Sequence, residues 1–459
     1  MTSSNTSGEL SSEQADATVR SRRFIALLVV VAIIGVIVSL AAWCFLEVIF
    51  QIQRELYVHL PNAFGYQHGP PTWWPLPVLA IGALVVAVAT ARLPGNGGHI
   101  PAEGLAAGGA SGPRILPGVV LAGIATIGSG LVLGPEAPLI ALGGGLATLL
   151  IGLSRRETPP QALMVVAAAG AFSALSFIFD SPLIAAVILI EATAIGGPRL
   201  RVVLVPGLLA AGIGTLVSLG MGHFTGLSSK DYSLGALPLT VAPHLKVGEF
   251  GWTIALALVI ALITTLIVRG GKLTHRTVSR HRQLVLLPAI GLIIGGLVIA
   301  FSQITGHSID NVLFSGQDQL PGLISQAPTW SLAALLWLII FKGLAYSLSL
   351  GSFRGGPTFP ALFLGAAGGI MASHLAGFPI QSAVAVGMGA ATVAVLRLPL
   401  SAVVLATLLT APAGSNVEPL IIVGVVVSYI TTLLLSSPLA SAPAPATESG
   451  ALAESTPSA

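Results

Sequence analysis

The stretch LGPEAPLIALGGG, residues 133–145, holds Glu136, the only charged residue between Arg114 and Arg155. Ionisation is costly in apolar surroundings, so a lone carboxylate there requires a reason. Proline is favoured just inside a helix start, because the amide it lacks would have no partner there. We therefore interpret Pro135 as the mark of a helix start, with Glu136 as its first polar side chain.

The composition predicts an all-α polytopic membrane protein. Of 459 residues, 54% are hydrophobic and 8% are charged, whereas soluble domains carry about 25% charged residues. About 20 apolar residues cross a bilayer, and the backbone must satisfy its own hydrogen bonds there, so the spans should be helices. Runs of this length are Phe24–Phe50, Trp74–Ala91, Trp252–Val268, Leu284–Phe301, Leu332–Leu348 and Leu420–Leu435.

The positive charges indicate an orientation. Three arginines within residues 20–23 precede the first apolar run, and residues 269–282 hold five further basic residues. Arg155 and Arg156 mark a third basic segment. Because basic segments stay on the cytoplasmic side, we expect a multi-pass protein of the cell membrane with a cytoplasmic N-terminus.

The pattern G-P-x-x-P occurs twice, beginning at Gly134 and at Gly356, an offset of 222 residues. Two later prolines, Pro182 and Pro399, match at an offset of 217. Such interrupted segments at corresponding positions are typical of transporters built from duplicated halves. The predicted division is a disordered cytoplasmic N-terminus (1–19), membrane repeat one (20–222), a linker (223–248), membrane repeat two (249–436) and a disordered C-terminal tail (437–459).

Interrupted helices at membrane depth predict an anion site. The free amides and the dipole of a helix N-terminus attract negative charge. A third such terminus is expected in residues 94–104, where Pro101 follows a glycine-rich run. The expected donors at the first two termini are the amides of Glu136, Ala137, Thr358 and Phe359.

Glu136 is predicted to be a gate. Its carboxylate would be stabilised by the same donors that hold a permeant anion, so it can mimic that anion and block the path. Protonated or displaced, it would release the site. Carboxylates inside membranes are functional by default, and the corresponding position of the second half is the neutral Thr358.

Four stretches together resemble the CLC family of chloride channels and chloride/proton antiporters, the voltage-gated chloride channels. The resemblance implies a CLC-type antiparallel inverted repeat with broken helices meeting at the midplane, a homodimer with one anion pathway per subunit, and chloride or another small anion as substrate. The stretches are GNGGHIPAEG, LGPEAPLIALGGG, FDSPLIAAVILIEA and GSFRGGPTFPALFLGAAGG, in that order along the chain.

The chain departs from the family pattern at the anion site. The family's coordinating serine falls on Gly98, which is followed by His99, a residue that could donate instead or cap the turn. Pro135 and Pro357 each remove one backbone amide. The resemblance therefore implies a site with fewer hydrogen-bond donors, formed by Gly98, His99, Glu136, Ala137, Thr358 and Phe359.

The residues at the positions that carry protons in the family also differ in this chain. The family's inward glutamate falls on Ala192, with Glu191 beside it, and one helical step turns a side chain by about 100°. Glu136 and Glu191 remain the candidates for a proton pathway. The family's tyrosine is absent near residues 414–417, where Ser415 or Asn416 could contribute. We therefore expect passive or weakly proton-coupled anion transport.

Alternatives remain open. A chloride/proton antiporter and a secondary carrier for another small anion or an organic solute both fit a duplicated membrane protein. An intramembrane enzyme would have to use His99 with Glu103, and neither is an obvious nucleophile. No cofactor, metal or nucleic-acid motif occurs, so the expected partners are an anion, the lipid bilayer and a second copy of the chain. Lys342 could raise the potential of the pathway or reach an interface, and Arg354 could attract anions or anchor at the surface.

Overall fold

The computed structural model describes residues 11–105, 112–153, 158–194, 196–225, 233–280 and 282–436. Within these ranges the chain is helical, and extended pairing is limited to one isolated bridge. The α-helices are α1 (Ser12–Arg20), α2 (Arg22–Arg54), α3 (Leu60–Ala63), α4 (Pro75–Arg92), α5 (Leu116–Gly128), α6 (Glu136–Leu153), α7 (Pro160–Phe179), α8 (Pro182–Thr193), α9 (Pro198–Thr225), α10 (Val247–Arg280), α11 (Gln283–Thr305), α12 (Leu320–Ser325), α13 (Leu332–Ser352), α14 (Thr358–Ala372), α15 (Ile380–Leu396), α16 (Pro399–Leu409) and α17 (Glu418–Ser436).

The helices separate into long and short ones. Among the described residues, nine helices are long and apolar enough to cross a bilayer. The multi-pass membrane protein expected from the composition is thereby confirmed. Others, including α8, α14 and α16, are apolar but have 11 to 15 residues, fewer than the roughly 20 that a full crossing requires. Each of these helices is therefore too short to cross the bilayer alone.

The two halves use the same packing scheme. Helix α6 packs on α7, and α14 packs on α15. Helix α7 packs on α9 as α15 packs on α17, and α2 contacts α9 as α10 contacts α17. The halves are joined where α4 packs against α11. Each contact in the first set thus has a counterpart in the second, which extends the short sequence repeat to the whole helical arrangement.

Matching glycine pairs hold the two central crossings together. A Cβ added to Gly143 would overlap the carbonyl of Gly170, and one added to Gly170 would overlap that of Gly143. Gly365 and Gly387 have the same mutual relation where α14 crosses α15. The positions are 222 and 217 residues apart, the offsets of the proline motifs. Small residues at such crossings let helix backbones approach closely in a membrane.

The helix ends after these crossings also match. Asp180 ends α7 with a φ of 46°, and Arg397 ends α15 with a φ of 59°. Left-handed residues are usual helix terminators, although side chains other than glycine and asparagine adopt this conformation rarely. Pro182 and Pro399 then begin the next helices. Both halves therefore make the same tight turn.

The expected disorder of residues 1–19 is wrong for their last part, since α1 begins at Ser12. Ser11 and Gln14 form a reciprocal capping box, with distances of 3.2 Å from the Gln14 amide to Ser11 Oγ and 3.0 Å from the Ser11 amide to Gln14 Oε1. Asp16 pairs with Arg201 of α9 at 2.7 Å. A cap and a tertiary contact are therefore enough to order this short polar segment.

Part of the expected linker is also ordered, and residues 233–246 form a non-helical segment, here called the strap. The amide of Leu237 donates to the carbonyl of Leu409 at 2.8 Å, and that of Ala242 donates to Ala413 at 2.8 Å. The strap thus runs along the end of α16. Residues 1–10, 226–232 and 437–459, together with Arg155 and Arg156, lie outside the described residues, and the boundaries of the two repeats remain predictions.

The glycine crossings lead to a stability prediction. Gly170→Ala and Gly387→Ala should each lower the free energy of unfolding by about 1–3 kcal/mol, because the added methyl group meets backbone that cannot move aside. Thermal unfolding of the detergent-solubilised protein measures the effect. Gly296→Ala is the control, since a Cβ there meets nothing within 4 Å. Equal midpoints of thermal unfolding for all three variants would contradict the conclusion that the helix backbones touch at these crossings.

Candidate anion site

The two proline motifs meet through backbone hydrogen bonds. The amide of Gly134 donates to the carbonyl of Gly356 at 2.8 Å, and the amide of Gly356 donates to Gly134 at 2.5 Å. The pair forms an antiparallel bridge between the segments that lead into α6 and α14. The expectation that the two broken helices begin at a common place is thereby confirmed.

Glu136 links the two helix starts through its side chain. It is the first residue of α6 and is 1% exposed. Its Oε1 atom accepts a hydrogen bond of 3.0 Å from the amide of Phe359, in the first turn of α14. Its Oε2 atom has no hydrogen-bond partner among the described residues. The carboxylate of one half therefore occupies a donor of the other half and keeps unused acceptor capacity.

The glycines beside Glu136 are required by the carboxylate. A Cβ on Gly134 or on Gly356 would overlap Glu136 Oε2. A Cβ on Gly134 would also lie 2.8 Å from the ring of Phe359. Glycine is therefore needed on both sides of the bridge to make room for this side chain.

Prolines leave few donors at each helix start. The first four amides of a helix have no acceptor within it, and proline has no amide. In α6, helix bonding begins when the amide of Leu139 donates to Pro135 at 3.0 Å. The remaining backbone donors in the two first turns are the amides of Glu136, Ala137, Thr358 and Phe359.

Two aromatic residues that the sequence analysis missed position the α14 start. The hydroxyl of Tyr346, on α13, donates to the carbonyl of Pro357 at 2.6 Å. The ring of Phe179, at the end of α7, lies 5.4 Å from the ring of Phe359. The sequence could have indicated Tyr346, because its hydroxyl lies in an apolar run and needs a hydrogen-bond partner when buried. Phe179 has no polar group, so nothing in the sequence indicated it.

The third expected helix start, in residues 94–104, is only a short turn in the structure. Pro101–Glu103 form a single 3-10 turn of three residues. Nε2 of His99 lies 2.9 Å from the carbonyl of Gly104, so the ring caps this turn. Gly98 has a φ of 97°, and its amide donates to Gly95 at 2.8 Å. The glycine-rich run thus closes on itself as a tight loop before this short turn.

This loop nevertheless borders the site. Gly98 and His99 line a cavity of about 240 Å³, together with Ala137 of the first turn of α6 and Arg354. The structure therefore brings three of the predicted anion-site residues to one cavity. Glu136, Thr358 and Phe359 are not part of its lining and lie instead at the contact between the helix starts.

Arg354 is buried and is not an interfacial anchor, while its attraction for anions stays a prediction. It is 8% exposed and lies between α13 and α14. Its Nε atom donates to the carbonyl of Asn96 at 3.1 Å, and Nη1 donates to Phe353 at 3.2 Å. Arg354 therefore joins the second half to the glycine-rich loop of the first half.

Lys342 lies in the interior of the protein, and its effect on the potential of the pathway stays a prediction. It is 0% exposed and does not reach an interface. Its Nζ atom lies 3.0 Å from the carbonyls of Asn311 and Leu313 and 4.4 Å from the centre of the Phe363 ring. Further bonds reach Val312 and Phe314. The ammonium group therefore satisfies the carbonyls of the turn before α12.

Glu191 caps a helix of the other half. Its carboxylate accepts bonds from the amide of Leu400 at 2.9 Å, the amide of Ser401 at 2.7 Å and the hydroxyl of Ser401 at 2.6 Å. These donors belong to the first turn of α16, whose N-cap residue, Leu398, has no side-chain acceptor. The remaining candidates, Ser415 and Asn416, form a 3-10 turn that leads into α17.

Comparison with known proteins identifies the family. The family model for the voltage gated chloride channel matches residues 82–433. Putative ion-transport protein YfeO of Salmonella newport (strain SL254) is 28% identical over 365 residues, covering 77% of this chain and 81% of that protein. The corresponding protein of Salmonella paratyphi A is 27% identical over the same length.

Solved structures share the fold. A slow cyanobacterial Cl⁻/H⁺ antiporter superposes with a TM-score of 0.68 at 17% identity, over 89% of this chain and 95% of that one. A CLC-type fluoride/proton antiporter superposes with a TM-score of 0.59 at 18% identity, over 92% and 96%. The expected fold class, and a transporter rather than an enzyme, are confirmed. The chain belongs to the voltage-gated chloride channel (CLC) family and, like that family, serves anion transport across a membrane.

Proposed function

We propose that this protein transports chloride or another small anion passively or with weak proton coupling, and that Glu136 is its gate. The observation that carries the proposal is the 3.0 Å bond from the Phe359 amide to Glu136 Oε1. An ionised carboxylate presents oxygen acceptors only, as an anion would. The side chain therefore stands where a permeating anion would be bound.

Release of the gate frees the donors that it uses. When Glu136 moves away or is protonated, the amides of Phe359, Thr358 and Ala137 become available to an anion. Gly98 and His99 border the adjoining cavity and extend the site through the loop that they form. With about 240 Å³ this cavity is smaller than the 300–1,000 Å³ pockets typical of drug-sized ligands, which favours a small anion over a bulky organic solute.

Weak coupling follows from the position of Glu191. Three hydrogen bonds hold its carboxylate on α16, and the neighbouring Ala192 cannot carry a proton. A relay through Glu191 would have to break this cap. The alternative is a chloride/proton antiporter, favoured by the fold shared with proteins described as Cl⁻/H⁺ and fluoride/proton antiporters.

The setting proposed for this activity is a homodimer in the cell membrane, with the N-terminus in the cytoplasm. The arginines that begin α2 support this orientation, because positive residues flank spans on the cytoplasmic side. The apolar outer faces of the long helices suit the lipid bilayer.

The gate leads to a pH prediction. Chloride flux in the wild type should rise as the pH falls, because a protonated Glu136 binds the Phe359 amide less strongly. Glu136→Gln and Glu136→Ala should be open at all pH values, with flux about five- to tenfold above the wild type at neutral pH, since charged hydrogen bonds exceed neutral ones by on the order of 1 kcal/mol. Chloride efflux from liposomes between pH 5 and 8 measures this.

Glu249→Gln provides the matched control. Glu249 is also 1% exposed, but it bonds Ser382 at 2.8 Å on a different pair of helices. Its variant should keep the pH dependence of the wild type. If Glu136→Ala also kept that dependence, Glu136 would not be the gate.

Gly356→Ala tests the same gate without changing its charge. The new methyl group would overlap Glu136 Oε2, so it should displace the carboxylate and raise flux at neutral pH. Combined with Glu136→Ala, it should cost less stability than the sum of the single changes, because the overlapping atoms are gone. Strictly additive unfolding free energies would show that the two residues do not touch.

Coupling is tested separately. A chloride gradient imposed on proteoliposomes should drive little or no uphill proton movement, recorded with a pH electrode. Glu191→Gln should lower thermal stability by weakening the α16 cap and leave proton movement unchanged. Uphill proton movement at a fixed ratio to chloride would instead establish the antiporter.

A further inference from the structure

Arg354 is a buried cation without an acidic partner. It is 8% exposed, and among the described residues no carboxylate lies within 4.0 Å of it. Buried charges are normally paired or fully hydrogen-bonded, because an uncompensated charge is costly away from water. The structure therefore contains a positive charge whose compensation by protein groups is incomplete.

The hydrogen-bond inventory shows how much of this side chain is free. A guanidinium group has five N–H donors. Two serve the carbonyls of Asn96 and Phe353, so three remain. Nη2 has no hydrogen-bond partner among the described residues. Because Arg354 lines the 240 Å³ cavity, a ligand in that cavity lies close to these unused donors.

The surroundings hold the side chain in place. A Cβ on Gly97 would lie 3.2 Å from Cγ of Arg354, so the glycine-rich loop fits closely around its stem. Gly97 also has a φ of 75°, which favours glycine. The amide of Arg354 donates to Thr126 Oγ1 at 3.3 Å. Backbone and stem are thus fixed by residues of the first half before any ligand arrives.

The cavity is largely apolar apart from this group. It has room for about eight water-sized volumes of 30 Å³, more than one monatomic ion requires. Its lining comes from the glycine-rich loop, from Ile115 just before α5 and Val119 within α5, and from the first two turns of α6, beginning at Ala137. The ring of His99 is the other titratable group, and its Nε2 contacts Gly104.

We infer that this cavity binds a small planar oxyanion, such as a monocarboxylate, nitrate or hydrogencarbonate, on the free edge of Arg354. The planar guanidinium fork matches two oxygens in one plane, whereas a halide offers no such pair. The neighbouring helix start already holds a carboxylate, that of Glu136. The inference rests on the proposed anion transport and specifies a preferred class of substrate.

The test compares formate and nitrate with chloride and bromide. In the wild type, sodium formate or nitrate should raise the thermal unfolding temperature in detergent more than chloride at equal ionic strength. In proteoliposomes, the ratio of formate to chloride flux should fall roughly tenfold in Arg354→Lys, which keeps the charge but loses the fork. Arg354→Gln should lose the stabilisation by all four anions.

Arg397→Lys is the matched control, since Arg397 bonds Ser436 at the exposed end of α15. Its formate-to-chloride flux ratio and its stabilisation by formate relative to chloride should both stay at the wild-type value. An unchanged formate-to-chloride ratio in Arg354→Lys would overturn the inference. So would equal stabilisation of the wild type by chloride and formate, a result that requires no variant to fold.

The two proposals fail differently. Absence of any anion flux in the wild type, with formate stabilisation that is lost in Arg354→Lys, would leave the binding site standing and remove the transport function. Flux of all anions that is the same in the wild type and in Arg354→Lys would support the transport function and remove the binding site on Arg354.

Discussion

The hydrogen bond between the Phe359 amide and the Glu136 carboxylate meets the requirement on which this structure depends, which is an acceptor for each backbone donor inside the membrane. A helix that ends inside a membrane exposes backbone donors that lipid cannot satisfy. Here the two broken helices, α6 and α14, begin face to face, and residues at each start provide hydrogen-bond partners for the other. Gly134 and Gly356 exchange backbone bonds, and Glu136 occupies a remaining donor. The same arrangement is an anion site, because donors without a protein acceptor are donors for a ligand.

Close helix crossings make this meeting possible. The glycine pairs at α6–α7 and α14–α15 allow backbone contact on the far side of each broken helix. Helix α14 has 15 residues and is shorter than the bilayer, so neighbouring helices must support it. Tyr346 adds a direct bond to the carbonyl of Pro357. The starts of α6 and α14 are thus fixed by packing and by the bonds between them.

The buried charged side chains differ in how many of their hydrogen-bonding groups are occupied by the protein. Lys342 is surrounded by the carbonyls of residues 311–314, and Glu191 is bonded to three donors of α16. Both are occupied by structural tasks. Glu136 and Arg354 each keep unused capacity, one oxygen and three N–H groups respectively. Capacity that the fold leaves unused is what a permeating ion can use, which separates these two from Lys342 and Glu191.

The sequence by itself determined the membrane class, the duplication and the place of the carboxylate, because apolar length, proline spacing and an isolated charge are local properties. The contact between residues 136 and 359 followed from the repeat. Only the tertiary structure decided the partners of Lys342, Glu191 and Arg354, since most of these partners are backbone atoms distant along the chain. The loop at Gly98 and His99 also depended on it: Pro101 indicated a helix start, but the cap on Gly104 closes a tight turn there. Local patterns specify where a helix can begin, and long-range packing decides what its end will bind.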